Sequence, residues 1–90
     1  MDQQNGAVWT EERIIAILRD LAAQDELPAH LKEGKIGGDD TVESLGIDSI
    51  GAVALIDRLE ADAGVHLPDD FLEFDESVAN IAARMNSLNS

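Results

Sequence analysis

The chain has 90 residues, enough for one domain and above the roughly 40 residues below which a fold usually needs disulfides or a metal. Six basic against nineteen acidic side chains give a formal charge of -13, a field that repels nucleic-acid phosphates and anionic membrane surfaces and attracts proteins presenting Lys and Arg. There is no cysteine, no apolar run near the ~20 residues of a membrane span and no secretory signal, so nucleic acid and membrane are not expected partners and the expected location is cytoplasmic.

With Trp9, Phe71 and Phe74 as the only aromatics, the core must be mainly aliphatic. Residues 1–8 show no periodicity and read as a loose leader. Thr10 is a candidate N-cap, Glu11 and Glu12 put negative charge in a first helical turn, and Ile14, Ile17, Leu18 and Leu21 follow at helical spacing. Trp9 and Ile14 stand at the positions of a hydrophobic staple, which makes Trp9 a packing residue and not a ligand platform.

From residue 24 to 45 the periodicity fails, and Pro28, Gly34, Gly37 and Gly38 indicate a long irregular connection with a short turn around 29–32. Leu27, Leu31, Ile36, Val42 and Leu45 are spread along it and are expected to pin it to the core. A second helix should start at Asp48 or Ser49 and run to Ala63, with Gly64 taking the left-handed position beyond its end. Ala52, Val53, Leu55, Ile56, Leu59 and Ala63 form one broad apolar face, while Ile50, Ala54, Asp57 and Ala61 form a separate stripe that is small and only once charged.

Beyond Gly64, the alternation Val65, His66, Leu67 suggests an extended link with Val65 and Leu67 inward, and Pro68 suits the opening of a short helix over 69–73. Asp75 or Ser77 then caps a last helix that places Val78, Ile81, Ala82 and Met85 on one face, followed by a polar tail over 87–90. The expected fold is all-α, a three-to-four-helix bundle with a long loop between the first and second helices, and the expected domain spans residues 9–86.

The chemistry concentrates in Leu45-Gly46-Ile47-Asp48-Ser49-Ile50, a tight turn that delivers a serine hydroxyl to the start of a helix. That oxygen lies near unpaired helical N–H groups and the positive end of the helix dipole, where a linked phosphate is favourably placed. Asp or Ser before an apolar periodic run is also how many helices begin with no further role. The wider arrangement separates the two readings, since the turn follows a long loop and opens the second helix of a short acidic chain.

In these residues the sequence resembles the acyl and peptidyl carrier protein family, whose attachment motif Leu-Gly-x-Asp-Ser-Leu/Ile is matched by Leu45, Gly46, Asp48, Ser49 and Ile50. Asp40-Thr41 ahead of the motif and the Val65-x-Leu67-Pro68 link beyond it extend the resemblance over the domain. It implies a helical bundle of acyl carrier protein type in which Ser49 carries covalent 4′-phosphopantetheine, installed from coenzyme A by a separate Mg²⁺-dependent phosphopantetheinyl transferase. The arm's thiol would hold an acyl group as a thioester. Further partners implied are an acyltransferase or adenylating enzyme that loads the arm and a downstream synthase that unloads it. Asp48, Ile50, Ala54, Asp57 and Ala61 correspond to the partner-docking face. Gly51 and Ala54 depart from the pattern, since an acidic residue is frequent there among free-standing carriers. Strong acidity and a single domain beginning with Met1 look like a free-standing acyl carrier, and Ile47 stands where peptidyl carriers often have a second glycine. The departure at Gly51 and Ala54 favours polyketide or related specialised biosynthesis, with an aminoacyl or peptidyl carrier as the alternative and a monomer as the expected state.

A hydrolytic enzyme would need Ser49 as nucleophile with His30 or His66 as base, but Ile47 stands where a nucleophile elbow has glycine, and the chain is too short for the sheet that elbow belongs to. No catalytic residue is therefore expected. Asp69, Asp70 and Glu73 are too irregularly spaced for an EF-hand loop, so no metal site is expected either. An acidic helical interaction module with no prosthetic group is the remote alternative.

Overall fold

The computed structural model describes residues 8–68 and 70–88. Three α-helices, α1 (Glu11–Ala23), α2 (Ser49–Ala63) and α3 (Val78–Leu88), enclose one aliphatic core, and a 3-10 turn, Ala29–Lys32, lies between α1 and α2. Among the described residues the only extended pairing is an isolated antiparallel bridge between Thr41 and Ser77. The all-α bundle expected from the periodicity is the observed fold.

Each helix starts where a side chain can take the first unpaired N–H groups. Thr10 has an extended backbone and its hydroxyl accepts from Arg13 N at 3.1 Å. Asp48 accepts from Gly51 N at 2.8 Å, and Ser77 Oγ accepts from Asn80 N at 3.1 Å. α2 ends at Gly64, whose φ of 70° lies in the left-handed region and whose N–H reaches Glu60 O at 2.8 Å.

Trp9 and Ile14 are both buried, and the Arg13 guanidinium lies 3.7 Å from the Trp9 ring centroid. Asn86 ties this end of the chain to α3, accepting from Trp9 N at 2.7 Å and donating to Trp9 O at 2.8 Å. Helix α3 runs to Leu88, so residues 87 and 88 of the expected tail are helical. Residues 89 and 90 of that tail, and 1–7 of the expected leader, lie outside the described residues.

The long first connection is anchored along its length: Leu27, Leu31, Ile36, Val42 and Leu45 are all buried, and Ile47 joins them. Arg19 of α1 donates to the carbonyls of Leu31 at 3.1 Å and Gly34 at 2.9 Å. Further along, the connection runs beside the segment leading into α3. Val42 N donates to Glu76 O at 3.0 Å, Glu43 N to Phe74 O at 2.8 Å and Val78 N to Asp40 O at 2.9 Å. Backbone groups that no helix could satisfy thus find partners across the molecule.

The short helix expected over 69–73 does not form among the described residues. Asp69 lies outside them, and its neighbours make a turn in which Phe71 N donates to Pro68 O at 3.0 Å. The Phe71 carbonyl is instead taken by Arg84 of α3 at 2.5 Å, while the Phe71 ring is buried with the guanidinium 4.2 Å from its centroid. Arg84 also bonds Glu76, the one polar or charged side chain buried among the described residues, and Asn80 adds a bond to the same carboxylate at 2.7 Å.

Candidate functional site

Ser49 is the first residue of α2 and is exposed, immediately after the capping Asp48. The turn before it is built from opposed demands. Leu45 and Ile47 are buried, Ile47 N donates to Val42 O at 3.1 Å, and Gly46 between them takes φ 79°, a conformation that favours glycine. Burying one residue on each side of Gly46 turns Asp48 and Ser49 outward. The Asp48 carboxylate satisfies Gly51 N, leaving the Ser49 hydroxyl at the helix N-terminus without a partner among the described residues. A phosphate ester on that oxygen would meet the first-turn N–H groups and the positive end of the dipole, so the residues present fit such a group.

The stripe read from the sequence as a docking face is outward in the structure. Ile50 is 80% exposed, Asp48, Asp57 and Ala61 are exposed, and Ala54 is half-buried. Two neighbouring assignments change. Val53, placed by its periodicity on the core face, is 51% exposed and belongs with Ile50. Gly51, noted as an unusual member of the recognition surface, is buried, and a Cβ there would lie 2.8 Å from Leu27 Cδ2 and 3.1 Å from Ile47 Cγ2. Val53 and Gly51 flank the buried arc of α2 on opposite sides, and the loop residue Leu27 covers the Gly51 side.

Asp25 and Glu26, just after α1, line a shallow groove of about 370 Å³ together with Ile50, Val53, Ala54 and Asp57. Sequence reasoning did not reach Asp25 or Glu26, because nothing local signals that the end of α1 comes to rest beside α2. Arg58 fixes that approach by an ion pair with Asp20 of α1 at 2.5 Å, and it also reaches Asp62 at 3.4 Å. The hydrogen bond that Arg58 donates to Asp20, more than the Asp62 charge, holds the guanidinium above its ordinary range. The stabilisation carried by this raised guanidinium is present below its ordinary range and is lost as pH rises through the raised one.

His30 and His66 are both exposed and far apart along the fold, His30 on the 3-10 turn and His66 beyond α2 with Nδ1 3.1 Å from Glu60 Oε2. Among the described residues no three His, Cys, Asp or Glu side chains converge as a metal site requires, and no helix is long and apolar enough to cross a membrane.

Ser49 is thus an exposed serine opening the second helix of an acidic three-helix bundle, behind a long anchored loop. The family model described as the phosphopantetheine attachment site matches residues 12–85, and the chain belongs to that family, which includes the acyl and peptidyl carrier proteins. Its members attach 4′-phosphopantetheine covalently and are generally carriers, not catalysts. No curated protein and no solved structure matches the chain significantly.

Proposed function

We propose that this chain is a carrier protein in which Ser49 is the attachment residue and residues 9–86 are the carrier unit. The observation that carries this reading is the outward Ser49 at the first position of α2, its hydroxyl uncommitted while Asp48 does the capping. On modification, Ser49 Oγ forms a bond to the phosphorus of coenzyme A that carries the pantetheine, loses its proton, and displaces 3′,5′-ADP as the pyrophosphate link breaks. The group so attached supplies a thiol that holds an acyl cargo as a thioester. Ser49 then serves only as an anchor, and the chain itself catalyses nothing.

Asp48, Ile50, Ala54, Asp57 and Ala61 form the docking face in this reading, with Ile50 at its apolar centre and the carboxylates orienting a Lys- or Arg-bearing partner. The partners are a phosphopantetheinyl transferase, an acyltransferase or adenylating enzyme, and a downstream synthase. The chain acts as a cytoplasmic monomer. The sparse acidity of the stripe, where Ala54 and Ala61 stand and Gly51 faces inward, favours polyketide or related specialised biosynthesis over housekeeping fatty-acid synthesis.

Intact-mass spectrometry after incubation with coenzyme A and a broad-specificity transferase tests the attachment. One phosphopantetheine on wild type and none on Ser49→Ala is expected; addition to Ser49→Ala, or to neither folded protein, would refute it. For the docking face, Ile50→Arg and Asp57→Lys are expected to slow acyl transfer by the cognate loading enzyme, and undiminished transfer in both removes the face from the account.

A further inference from the structure

The turn bearing Ser49 is flanked by two glycines, and one segment of the first connection, residues 27–30, rests against both. A side chain at Gly46 would begin 3.5 Å from His30 Nε2 and 4.0 Å from Pro28 Cγ, and one at Gly51 would begin 2.8 Å from Leu27 Cδ2. At Gly51 the absence of a Cβ is what lets the segment come this close, whereas at Gly46 the distances are those of ordinary van der Waals contact. The segment is fixed from behind by Leu31, 1% exposed, by the bond from Leu31 N to Pro28 O at 3.0 Å, and by the two Arg19 bonds to the carbonyls of Leu31 and Gly34.

His30 is therefore an exposed imidazole on an anchored backbone, set against Gly46, three residues ahead of the exposed Ser49. At ~3.8 Å between consecutive Cα atoms, the Ser49 and Gly46 Cα atoms are at most about 11 Å apart. The chain as a whole is strongly acidic, its four arginines bond elsewhere, to carboxylates or to carbonyls of other segments, and its two lysines, Lys32 and Lys35, are exposed further along the same connection. Of the polar groups on the turn, the Asp48 carboxylate is negative and already accepts from Gly51 N. An imidazole offers an N–H whether neutral or protonated, and a bond from it to a phosphate oxygen is charge-assisted.

We propose that His30 is a positioning residue for the prosthetic group, donating a ring N–H to a phosphodiester oxygen on Ser49 and so holding the base of the arm toward the first connection. The proposal rests on Ser49 as the attachment residue.

Wild type, His30→Ala and Ser49→Ala are treated with coenzyme A and transferase, their masses are measured, and ³¹P and histidine-ring spectra are recorded for apo and modified protein at one pH. One arm is expected on wild type and on His30→Ala. The His30 ring resonances of wild type should be displaced by modification while those of His66, at the far end of a helix about 22 Å long, stay in place. The ³¹P resonance of modified His30→Ala should differ from that of wild type. If either the His30 ring or the ³¹P resonance stays in place, the proposal is overturned and Ser49 remains the attachment residue. Failure of wild type to gain the arm would overturn the Ser49 reading and this proposal with it.

Discussion

The two connections of this bundle are held by the same device with different partners. In the first, Arg19 of α1 donates to the carbonyls of Leu31 and Gly34; in the second, Arg84 of α3 donates to the carbonyl of Phe71. Both guanidiniums supply donors to connection carbonyls. Only Arg84 also meets a carboxylate, Glu76, which is 6% exposed and further bonded by Asn80 and by Glu73 N. The first connection instead relies on six buried aliphatic side chains, Leu27, Leu31, Ile36, Val42, Leu45 and Ile47. A long loop can thus be fixed chiefly by apolar residues that reach the core, whereas the shorter one adds a polar cluster at its base to the buried Leu67 and Phe71.

The most severe test of that contrast is Leu31→Ala, which removes a fully buried anchor of the first connection and should cost about 3 kcal/mol, lowering Tm by some 10 °C or more in thermal unfolding. A loss under about 1 kcal/mol would mean that the apolar anchors are not what holds this loop. Arg84→Met comes next. It leaves the buried Glu76 carboxylate with only Asn80 and a backbone N–H, and since the arginine is itself 40% exposed the expected loss is about 2 kcal/mol. Amide exchange should quicken at Val42, whose N–H is bonded to Glu76 O, and at Glu43, bonded to Phe74 O.

Arg19→Met removes two bonds to carbonyls but strands no buried charge, so about 1 kcal/mol is expected, with faster exchange at Leu31 and Gly34 and none at Val42. Equal losses for the two arginine variants would erase the distinction drawn between the connections. The smallest effect belongs to Val53→Ser, on the outward side of α2. With half its surface already in water it should change stability by no more than about 0.5 kcal/mol, where a core valine would cost several times that. Chemical denaturation distinguishes the two outcomes.

How much of this was legible beforehand follows from the reach of each signal. Caps are local, so Thr10 and Asp48, together with the left-handed stop at Gly64, mark their helix ends correctly. The attachment motif is likewise a run of consecutive residues, and the turn around 29–32 appears where the loss of periodicity left room for it. Pro68 favours a helix start locally, but the chain there makes a turn closed by Phe71 N on Pro68 O, and the burial of Leu67 and Phe71 in the core depends on residues distant in sequence. Val53 was misassigned because periodicity locates an apolar arc but not its exact edges. Leu27 lies against the buried Gly51, while Val53, on the other side of the arc, is exposed.

The sequence by itself determined three helices, their caps, an aliphatic core and a serine at the start of the second helix, because each follows from neighbours in the chain or from the 3.6-residue period. Tertiary structure alone decided that Gly51 faces in and Val53 out, that Asp25 and Glu26 border the exposed face of α2, that Glu76 is buried against Arg84, and that His30 rests beside Gly46. The physical reason is that these depend on contacts between segments far apart in the chain, and no local pattern encodes which distant side chain will cover a given face.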